Sequence, residues 1–272
     1  MTDARGKTLT LRAAPQRIVS LIPSNTEVLF ALGAGDQIAA VTTADNYPPE
    51  VKQKPKIGGV MDASIEKIMA YNPDLVLAFG SLNQPLIGPL ERLGVPMLVV
   101  DPKTLPETYD SIRLLGRAVG KDAEADRLVV TMRARIARVQ QTVAKASHRP
   151  GVLMINQTNP IYTTGPDSFI SDLIRIAGGR NVVEKPLTDN LLSEEDVILK
   201  QPEVIICARD LQASIQRVPG WRAGVPAGRN GRFFWEESEA YTVIRPTPRL
   251  ATGIEELARF LHPELFPDKK GH

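Results

Sequence analysis

The sequence contains two copies of one pattern, SIEKIMAYNPDLVLA at residues 64–78 and SEEDVILKQPEVIIC at residues 193–207. In each copy a glutamate follows a serine by two positions, and a proline follows that glutamate by seven. Serine is a preferred N-cap residue, and the helix dipole stabilises a negative charge in the first turn. The proline ends the helix, and the apolar run behind it predicts a strand. Each copy therefore predicts a helix followed by a strand.

The same alternation of strands and helices surrounds both copies. Short apolar runs predict the strands, and segments with apolar residues at helical spacing predict the helices. The predicted strands are residues 17–22, 38–41, 75–79, 97–100, 152–156, 204–208 and 232–235, and the predicted helices include 26–32, capped by Ser24 or Asn25, 84–93, 169–177 and 249–261. Strands that alternate with helices across short loops indicate parallel α/β sheets.

The middle of the chain contains no strand candidate. Residues 108–119 and 123–146 predict two helices, and the second is long, with charged residues on one face and apolar residues on the other. This division predicts three parts: an N-terminal α/β lobe at 1–105, a helical connection at 106–148 and a C-terminal α/β lobe at 149–272.

Composition excludes several classes of protein. The chain has 272 residues, of which 43% are hydrophobic, enough for one large or two modest domains with a sizeable core. Its 33 basic and 31 acidic residues leave a net charge of only +2, which gives no basic footprint for nucleic acid. The longest apolar runs, such as residues 75–79, are far shorter than the roughly 20 residues that span a bilayer.

Two local features bear on redox chemistry and targeting. Cys207 is the single cysteine, so no intrachain disulfide is predicted, and its apolar neighbours predict a buried strand residue. Met1 is followed by polar residues and by no apolar segment of the kind found in signal peptides. We therefore expect either a cytosolic protein or a chain in which Met1 replaces a removed leader.

Motifs for catalysis are missing from the sequence. It contains no Gly-x-Ser-x-Gly elbow, P-loop or His-Glu-x-x-His segment. Gly33-Ala-Gly35 looks like a dinucleotide loop, but it follows a predicted helix, whereas that fingerprint must follow a strand. A two-lobed chelatase-like or nitrogenase-like enzyme is the alternative from a different class, and it would need clustered histidines or cysteines. We predict no catalytic residue, no catalytic cofactor and no metal site.

Several segments together resemble a known family over about residues 15–265. They are residues 17–27, 45–50, 57–59, 64–66, 159–165, 177–182 and 245–249. In this combination the chain resembles the class III periplasmic substrate-binding proteins of ABC importers, which carry cobalamin, haem and ferric siderophores. The resemblance implies two Rossmann-like lobes with mostly parallel sheets, joined by a single long α-helix, with ligand bound between them. It also implies a monomer that works in the periplasm, or outside the cytoplasm on a lipid anchor.

The resemblance assigns a docking role to the repeated glutamates. Glu66 and Glu195 match the family's residues that dock onto arginines of the membrane permease. Exposed ion pairs are each worth roughly 0–1 kcal/mol, so one pair per lobe would set register and keep the complex reversible. The alternative is that both glutamates only stabilise the helix dipole.

The closest resemblance is to the cobalamin-binding subfamily. It implies that Tyr47 and Tyr162 contact the corrin, that Arg245 hydrogen-bonds ligand amides or carboxylates, and that Pro23 and Val60 also contact ligand. Aromatic faces and apolar walls suit a flat macrocycle. For either tyrosine, simple packing is the alternative.

This sequence departs from the cobalamin binders at two positions. Val60 and Asp189, each six residues before a docking glutamate, occupy positions of tryptophan. A related corrinoid such as cobinamide is therefore also an expected ligand, and haem or a ferric siderophore stays open. Haem could use Tyr47, Tyr162 or Tyr241 as its axial ligand. A siderophore would favour cleft arginines, for which the candidates are Arg209, Arg222, Arg232 and Arg245. Core or rim packing is the expected role of Trp221 and Trp235.

Overall fold

The computed structural model describes residues 1–237, 242 and 245–266. Their contacts divide them into two compact units, which we call lobes. The N-terminal lobe comprises residues 1–131 and 246–248, and the C-terminal lobe comprises the described residues of 132–245 and 249–266.

Four strands form the sheet of the N-terminal lobe: β1 (Ile18–Ser20), β2 (Ile38–Ala40), β3 (Leu75–Phe79) and β4 (Met97–Val100). All are parallel, in the order β2-β1-β3-β4. The helices are α1 (Pro23–Ala31), α2 (Ile65–Ala70), α3 (Gln84–Arg92), α4 (Leu105–Ala118) and the 22-residue α5 (Asp122–Val143), with 3₁₀ turns at Gly35–Gln37 and Pro49–Gln53. The boundary between the lobes falls inside α5.

The C-terminal lobe contains seven described strands: β5 (Gly151–Ile155), β6 (Gln157–Thr158), β7 (Ile161–Tyr162), β8 (Arg180–Asn181), β9 (Leu191–Leu192), β10 (Val204–Ala208) and β11 (Phe233–Glu236). Four of them form a parallel sheet in the order β11-β10-β5-β8. Its helices are α6 (Phe169–Ile176), α7 (Glu194–Lys200), α8 (Gln212–Gln216), α9 (Pro219–Gly224), α10 (Pro226–Arg229) and α11 (Leu250–Leu261), with 3₁₀ turns at Thr188–Asn190, Arg209–Leu211 and Pro263–Leu265.

The two sheets have the same topology. Reading β8-β5-β10-β11 against β2-β1-β3-β4 pairs each strand of one lobe with one strand of the other. The repeated segments supply α2 and β3 in the first lobe, and α7 and β10 in the second. The predicted fold class of two α/β lobes with mostly parallel sheets is therefore confirmed.

The C-terminal lobe also contains a small sheet that the sequence did not predict. Strands β6, β7 and β9 pair antiparallel, with Tyr162 opposite Leu191 and Ile161 opposite Leu192. Each of these strands has only two residues, too few to show an alternating pattern. The helices α8 to α10, with four to six residues each, are likewise too short to show a helical pattern.

The predicted start of the first helix was wrong. We expected Ser24 or Asn25 to cap a helix that begins at residue 26, but α1 begins at Pro23 and its N-cap residue is Ile22, without a side-chain hydrogen bond. Proline is favoured at the first helical position, because its fixed φ suits the helix and its missing N–H has no intrahelical partner there. Ser24 and Asn25 are buried inside the helix.

Each lobe has its own apolar core around its central strands. In the first, β3 is buried along its whole length and packs with Ile68 of α2. In the second, Val197 of α7 packs with Cys207 and Trp221, which is 1% exposed.

Cys207 is a buried strand residue, as predicted, and burial raises the pKa of its thiol to about 12. Trp235 is partly buried and stacks on Phe233, with ring centroids 5.2 Å apart.

A carboxylate just before each central strand anchors the start of its neighbour. Asp74 accepts hydrogen bonds of 2.8 Å from the backbone N–H groups of Gln16 and Arg17, ahead of β1. At the equivalent position Glu203 accepts one of 2.8 Å from the N–H of Gly151, the first residue of β5. The residue two positions ahead of each carboxylate has a left-handed conformation with φ of 44°. The repeat therefore extends to backbone geometry and to the start of the paired strand.

The Glu203 anchor predicts a pH-dependent contribution to stability. Burial opposes its charge, but hydrogen bonds from the Gly151 N–H and from His148 hold the pKa of Glu203 below its ordinary 4.5. A depressed folded-state pKa stabilises the protein above pH 4.5, and this contribution is lost as the pH falls through the folded-state value. We expect Glu203→Gln to lower the urea midpoint at pH 7, with the gap to the wild type narrowing below pH 4.5. A difference in urea midpoint between the variant and the wild type that stays constant from pH 7 down to about pH 3 would contradict this.

Candidate ligand-binding and docking sites

The ligand-contacting residues predicted in the N-terminal lobe follow the ends of parallel strands. Pro23 comes three positions after β1 and is buried at the start of α1. Tyr47 and Val60 lie in the segment between β2 and α2, where Tyr47 is 39% exposed and Val60 is partly buried. Because parallel strands end at one edge of their sheet, the segments that carry these three residues start from the same edge.

Hydrogen bonds within the chain hold the loop that carries Tyr47. The buried Asp45 carboxylate accepts bonds from the N–H and hydroxyl of Thr42, at 2.8 and 2.5 Å. Lys56 Nζ donates to the carbonyls of Asp45 and Val51, at 3.2 and 3.3 Å. Burial raises the pKa of Asp45 and lowers that of Lys56. Tyr47 therefore projects from a loop whose backbone is fixed on both sides.

The C-terminal lobe presents Tyr162 on the small antiparallel sheet. Its cross-strand partner is Leu191, and each of the two side chains is 37% exposed. The next residue, Thr163, is buried and its hydroxyl donates to the carbonyl of Met154 on β5, at 2.7 Å. Beside this sheet lies a concavity of about 310 Å³, lined by Thr163–Ser168, Pro186, Leu187 and Asn190.

Three other residues considered in the sequence are the predicted ligand contact Arg245, the tryptophan position Asp189 and the possible haem ligand Tyr241. Arg245 is partly buried and has an interaction partner in the chain. Asp189 has a left-handed conformation in the turn before β9. Tyr241, one of three tyrosines named for haem, lies outside the described residues.

Exposed apolar side chains concentrate on the segments that follow strand ends. Eight large apolar side chains are exposed among the described residues. Five of them lie between a strand of a parallel sheet and the next α-helix: Tyr47, Met61, Leu82, Tyr162 and Leu191. Sequence reasoning missed Met61, Leu82 and Leu191, because an apolar residue near a strand is usually interpreted as part of the core. To find them, one would need the strand order, which shows that their segments follow strands of the parallel sheets.

The repeated glutamates both occupy the second position of a capped helix. Ser64 Oγ accepts a hydrogen bond from the N–H of Lys67 at 3.2 Å, and Ser193 Oγ accepts one from the N–H of Asp196 at 3.0 Å. The Asp196 carboxylate in turn accepts a hydrogen bond from the N–H of Ser193 at 2.9 Å, which completes a capping box. The caps satisfy backbone donors that a helix start leaves unpaired.

Both glutamate side chains remain available for an external partner. Glu66 and Glu195 are exposed, and neither forms an ion pair with any residue in the described part of the chain. The helix dipole alone can stabilise an acidic residue at this position. Exposure in both lobes leaves the carboxylates free to bind cations of another protein.

Several histidines and arginines considered for binding haem or a siderophore have partners within the chain. Within the described residues, no group of three or more histidine, cysteine or acidic side chains is placed to hold a metal ion. His148 bonds Glu203, and the buried His262 bonds the carbonyl of Gly178 at 3.1 Å. Arg209 pairs with Glu237 at 2.8 Å.

The two remaining candidate arginines of the C-terminal lobe differ in their surroundings. Arg232 donates to the Phe260 carbonyl at 2.8 Å, whereas Arg222 is exposed.

No helix among the described residues is both long and apolar enough to cross a membrane.

Comparison with known proteins is consistent with this architecture. The sequence model of the family described as "Periplasmic binding protein" matches residues 18–239. An uncharacterized ABC transporter substrate-binding lipoprotein of Bacillus subtilis, YvrC, is 32% identical over 98% of this chain and 86% of its own length. A vitamin B12-binding protein of Pectobacterium carotovorum is 30% identical, over 90% of this chain and 88% of its own.

Solved structures show the same fold. The periplasmic haem-binding protein RhuT of Roseiflexus sp. RS-1 superposes with a TM-score of 0.82 at 27% identity, covering 92% of this chain and 99% of its own. The periplasmic vitamin B12-binding protein BtuF of Vibrio cholerae gives a TM-score of 0.80 at 25% identity, covering 93% and 99%. The chain therefore belongs to the periplasmic binding protein family, the substrate-binding components of ABC importers that its sequence resembles.

Proposed function

We propose that this protein captures a corrinoid, cobalamin or cobinamide, and delivers it to the permease of an ABC importer. The observation that carries the proposal is that each lobe exposes a tyrosine in a segment that follows a strand of its parallel sheet. Tyr47 follows β2 and is 39% exposed, and Tyr162 follows β5 and is 37% exposed. Relatives named as vitamin B12-binding proteins support the same choice. The work is done outside the cytoplasm by a monomer, in the periplasm or on a lipid anchor.

The chemistry of the exposed side chains suits a corrinoid. A corrin ring has broad apolar faces and a periphery of amides, so aromatic and aliphatic side chains can cover the faces while a few polar groups fix orientation. The segment between β2 and α2 carries the apolar residues Val60 and Met61 as well as Tyr47, and Tyr162 has Leu191 across the small sheet. Arg245 is the charged donor for an amide or phosphate oxygen of the ligand. Pro23 shapes the backbone at the end of β1.

Delivery depends on the two exposed glutamates. Glu66 and Glu195 dock onto arginines of the permease, one contact for each lobe. Such pairs are weak singly but orient the partner and speed association, and the complex can dissociate after transfer. Binding and release involve no covalent step, so no turnover of the ligand is expected.

Haem is the second candidate, favoured by the similarity to the haem-binding protein of Roseiflexus. Haem iron would need an axial ligand, and Tyr47 or Tyr162 would supply its phenolate. The described histidines, His148 and His262, bond Glu203 and Gly178 within their own lobe. A tyrosine-ligated ferric haem would be distinguished by its absorption spectrum.

A titration separates these ligands. We expect cyanocobalamin and dicyanocobinamide to quench tryptophan fluorescence and to shift the corrin absorption bands at one site per chain. Haemin serves as the competing probe, with the Soret band as its readout. If the protein binds haemin but neither corrinoid, the corrinoid proposal is wrong.

Single substitutions test the tyrosines. Tyr47→Ala and Tyr162→Ala should each weaken corrinoid binding by roughly tenfold, since each removes one aromatic face from the ligand. The matched control is Leu93→Ala, because Leu93 is 54% exposed and lies on the segment before β4, away from the strand ends. Its affinity should equal that of the wild type. Equal losses in all three variants would count against the assigned contacts.

A separate set of variants tests docking. Glu66→Gln and Glu195→Gln should each weaken association with the cognate permease in proteoliposomes by up to about fivefold, and the double variant by more. Corrinoid affinity should stay unchanged. Glu194→Gln is the control, because Glu194 is exposed in the same first turn as Glu195. Undiminished transport by the double variant would refute the docking role.

A further inference from the structure

Asn83 stands at the start of α3 but does not cap it. Asparagine is among the best N-cap residues, because its side chain usually accepts a hydrogen bond from an N–H of the first turn. At Asn83 no such bond forms. The side chain is fully buried and turns back toward the sheet. Its amide therefore serves contacts other than those of its own helix.

The amide of Asn83 joins three segments that follow three different strands. Nδ2 donates to the carbonyls of Val60, at 2.7 Å, and of Leu21, at 3.2 Å. Oδ1 accepts from the N–H of Phe79, at 2.7 Å. Leu21 follows β1, Val60 lies between β2 and α2, and Phe79 ends β3. Both donor hydrogens and the acceptor oxygen are used, so the three segments are held at one point.

Two exposed apolar side chains flank that point. Met61 follows Val60 and is 62% exposed, and Leu82 precedes Asn83 and is 41% exposed. The bond of 2.7 Å between Val60 and Asn83 brings their two segments side by side. Apolar side chains exposed on two segments that are fixed to each other form a surface suited to an apolar ligand face.

We propose that Asn83 is a positioning residue for ligand binding, which holds Met61 and Leu82 as a preorganised apolar wall against one face of the macrocycle. The inference rests on the proposed capture of a corrinoid. Without the amide, the segments after β1, β2 and β3 would have to be ordered by the ligand, and binding would bear that entropy cost. Asn83 itself does not touch the ligand.

Only an amide side chain can form all three of these bonds at position 83. An ionised aspartate has the same shape but no donor, and the oxygen that replaces Nδ2 would face the carbonyls of Leu21 and Val60. Leucine would leave the Phe79 N–H and both carbonyls without a partner. Asn83→Asp is therefore the sharper variant, because it keeps volume and the bond from Phe79 while removing both donated bonds.

The first experiment compares two variants at opposite ends of β3. Asn83→Asp alters the end that faces the proposed wall, and Asp74→Asn alters the anchor at the start of the strand. Both should lower the urea midpoint. Only Asn83→Asp should weaken cyanocobalamin binding, by about tenfold or more, measured by titration where both variants are folded. Equal affinities for Asn83→Asp and the wild type, or equal losses in both variants, would overturn the positioning role.

The second experiment tests the wall directly and covers the case in which Asn83→Asp does not fold. Met61→Ala and Leu82→Ala remove exposed side chains, so their urea midpoints should match the wild type. Their cyanocobalamin affinities should fall several-fold, whereas Leu93→Ala should not change. Hydrogen exchange should show ligand protection of residues 57–64 and 79–84 in the wild type. Unchanged affinity in both variants would overturn the proposal.

The choice of probe keeps this test separate from the corrinoid assignment. The wild type is first titrated with cyanocobalamin, dicyanocobinamide, haemin and a ferric hydroxamate. If only haemin or the hydroxamate binds, the corrinoid assignment fails, and the same variants are measured with that probe. If none of the four binds, the proposed function and the wall both fail. Selective loss in the Asn83→Asp, Met61→Ala and Leu82→Ala variants supports the wall whichever probe binds.

Discussion

The parallel pairing of β3 with β1, and of β10 with β5, is the constraint on which both lobes depend. Parallel strands end at a common edge, so the segments behind them meet there however far apart they lie in sequence. At the opposite edge, Asp74 and Glu203 fix the starts of the paired strands. Backbone pairing therefore places the candidate residues, and it leaves Tyr47 and Tyr162 exposed on their lobes.

The central strands could be predicted from the sequence because few alternatives existed. Residues 75–79 and 204–208 are short apolar runs behind a proline and an acidic residue, and the observed β3 and β10 have the predicted bounds. The proline ends the helix, and the run is too short for another one. The same reasoning failed at α1, where Ser24 looked like a cap although Pro23 already begins the helix. A local preference for proline at the first position decided the boundary.

The side chains that define the candidate site were harder to predict. Met61 and Leu82 are apolar residues near strands, and the sequence alone assigns such residues to the core. The folded structure leaves both side chains exposed, on two segments that the bond between Val60 and Asn83 holds together. Asn83 has the sequence signature of an N-cap, and its bond to Val60 connects residues that no local pattern relates. Long-range contacts of this kind follow from tertiary structure and lie beyond periodicity and propensity.

The small antiparallel sheet connects Tyr162, a proposed ligand contact, to the helix that carries Glu195, a proposed docking residue. Tyr162 on β7 pairs with Leu191 on β9, and Ser193 follows β9 directly. The capping box between Ser193 and Asp196 then fixes the first turn of α7, which carries Glu195. The path from the tyrosine to the glutamate thus consists of one strand pair and one capped helix start. If Tyr162 contacts the ligand and Glu195 docks onto the permease, as proposed, a ligand that displaces or orders Tyr162 acts on the segment that positions Glu195, and the permease can sense an occupied lobe through a contact distant from the ligand.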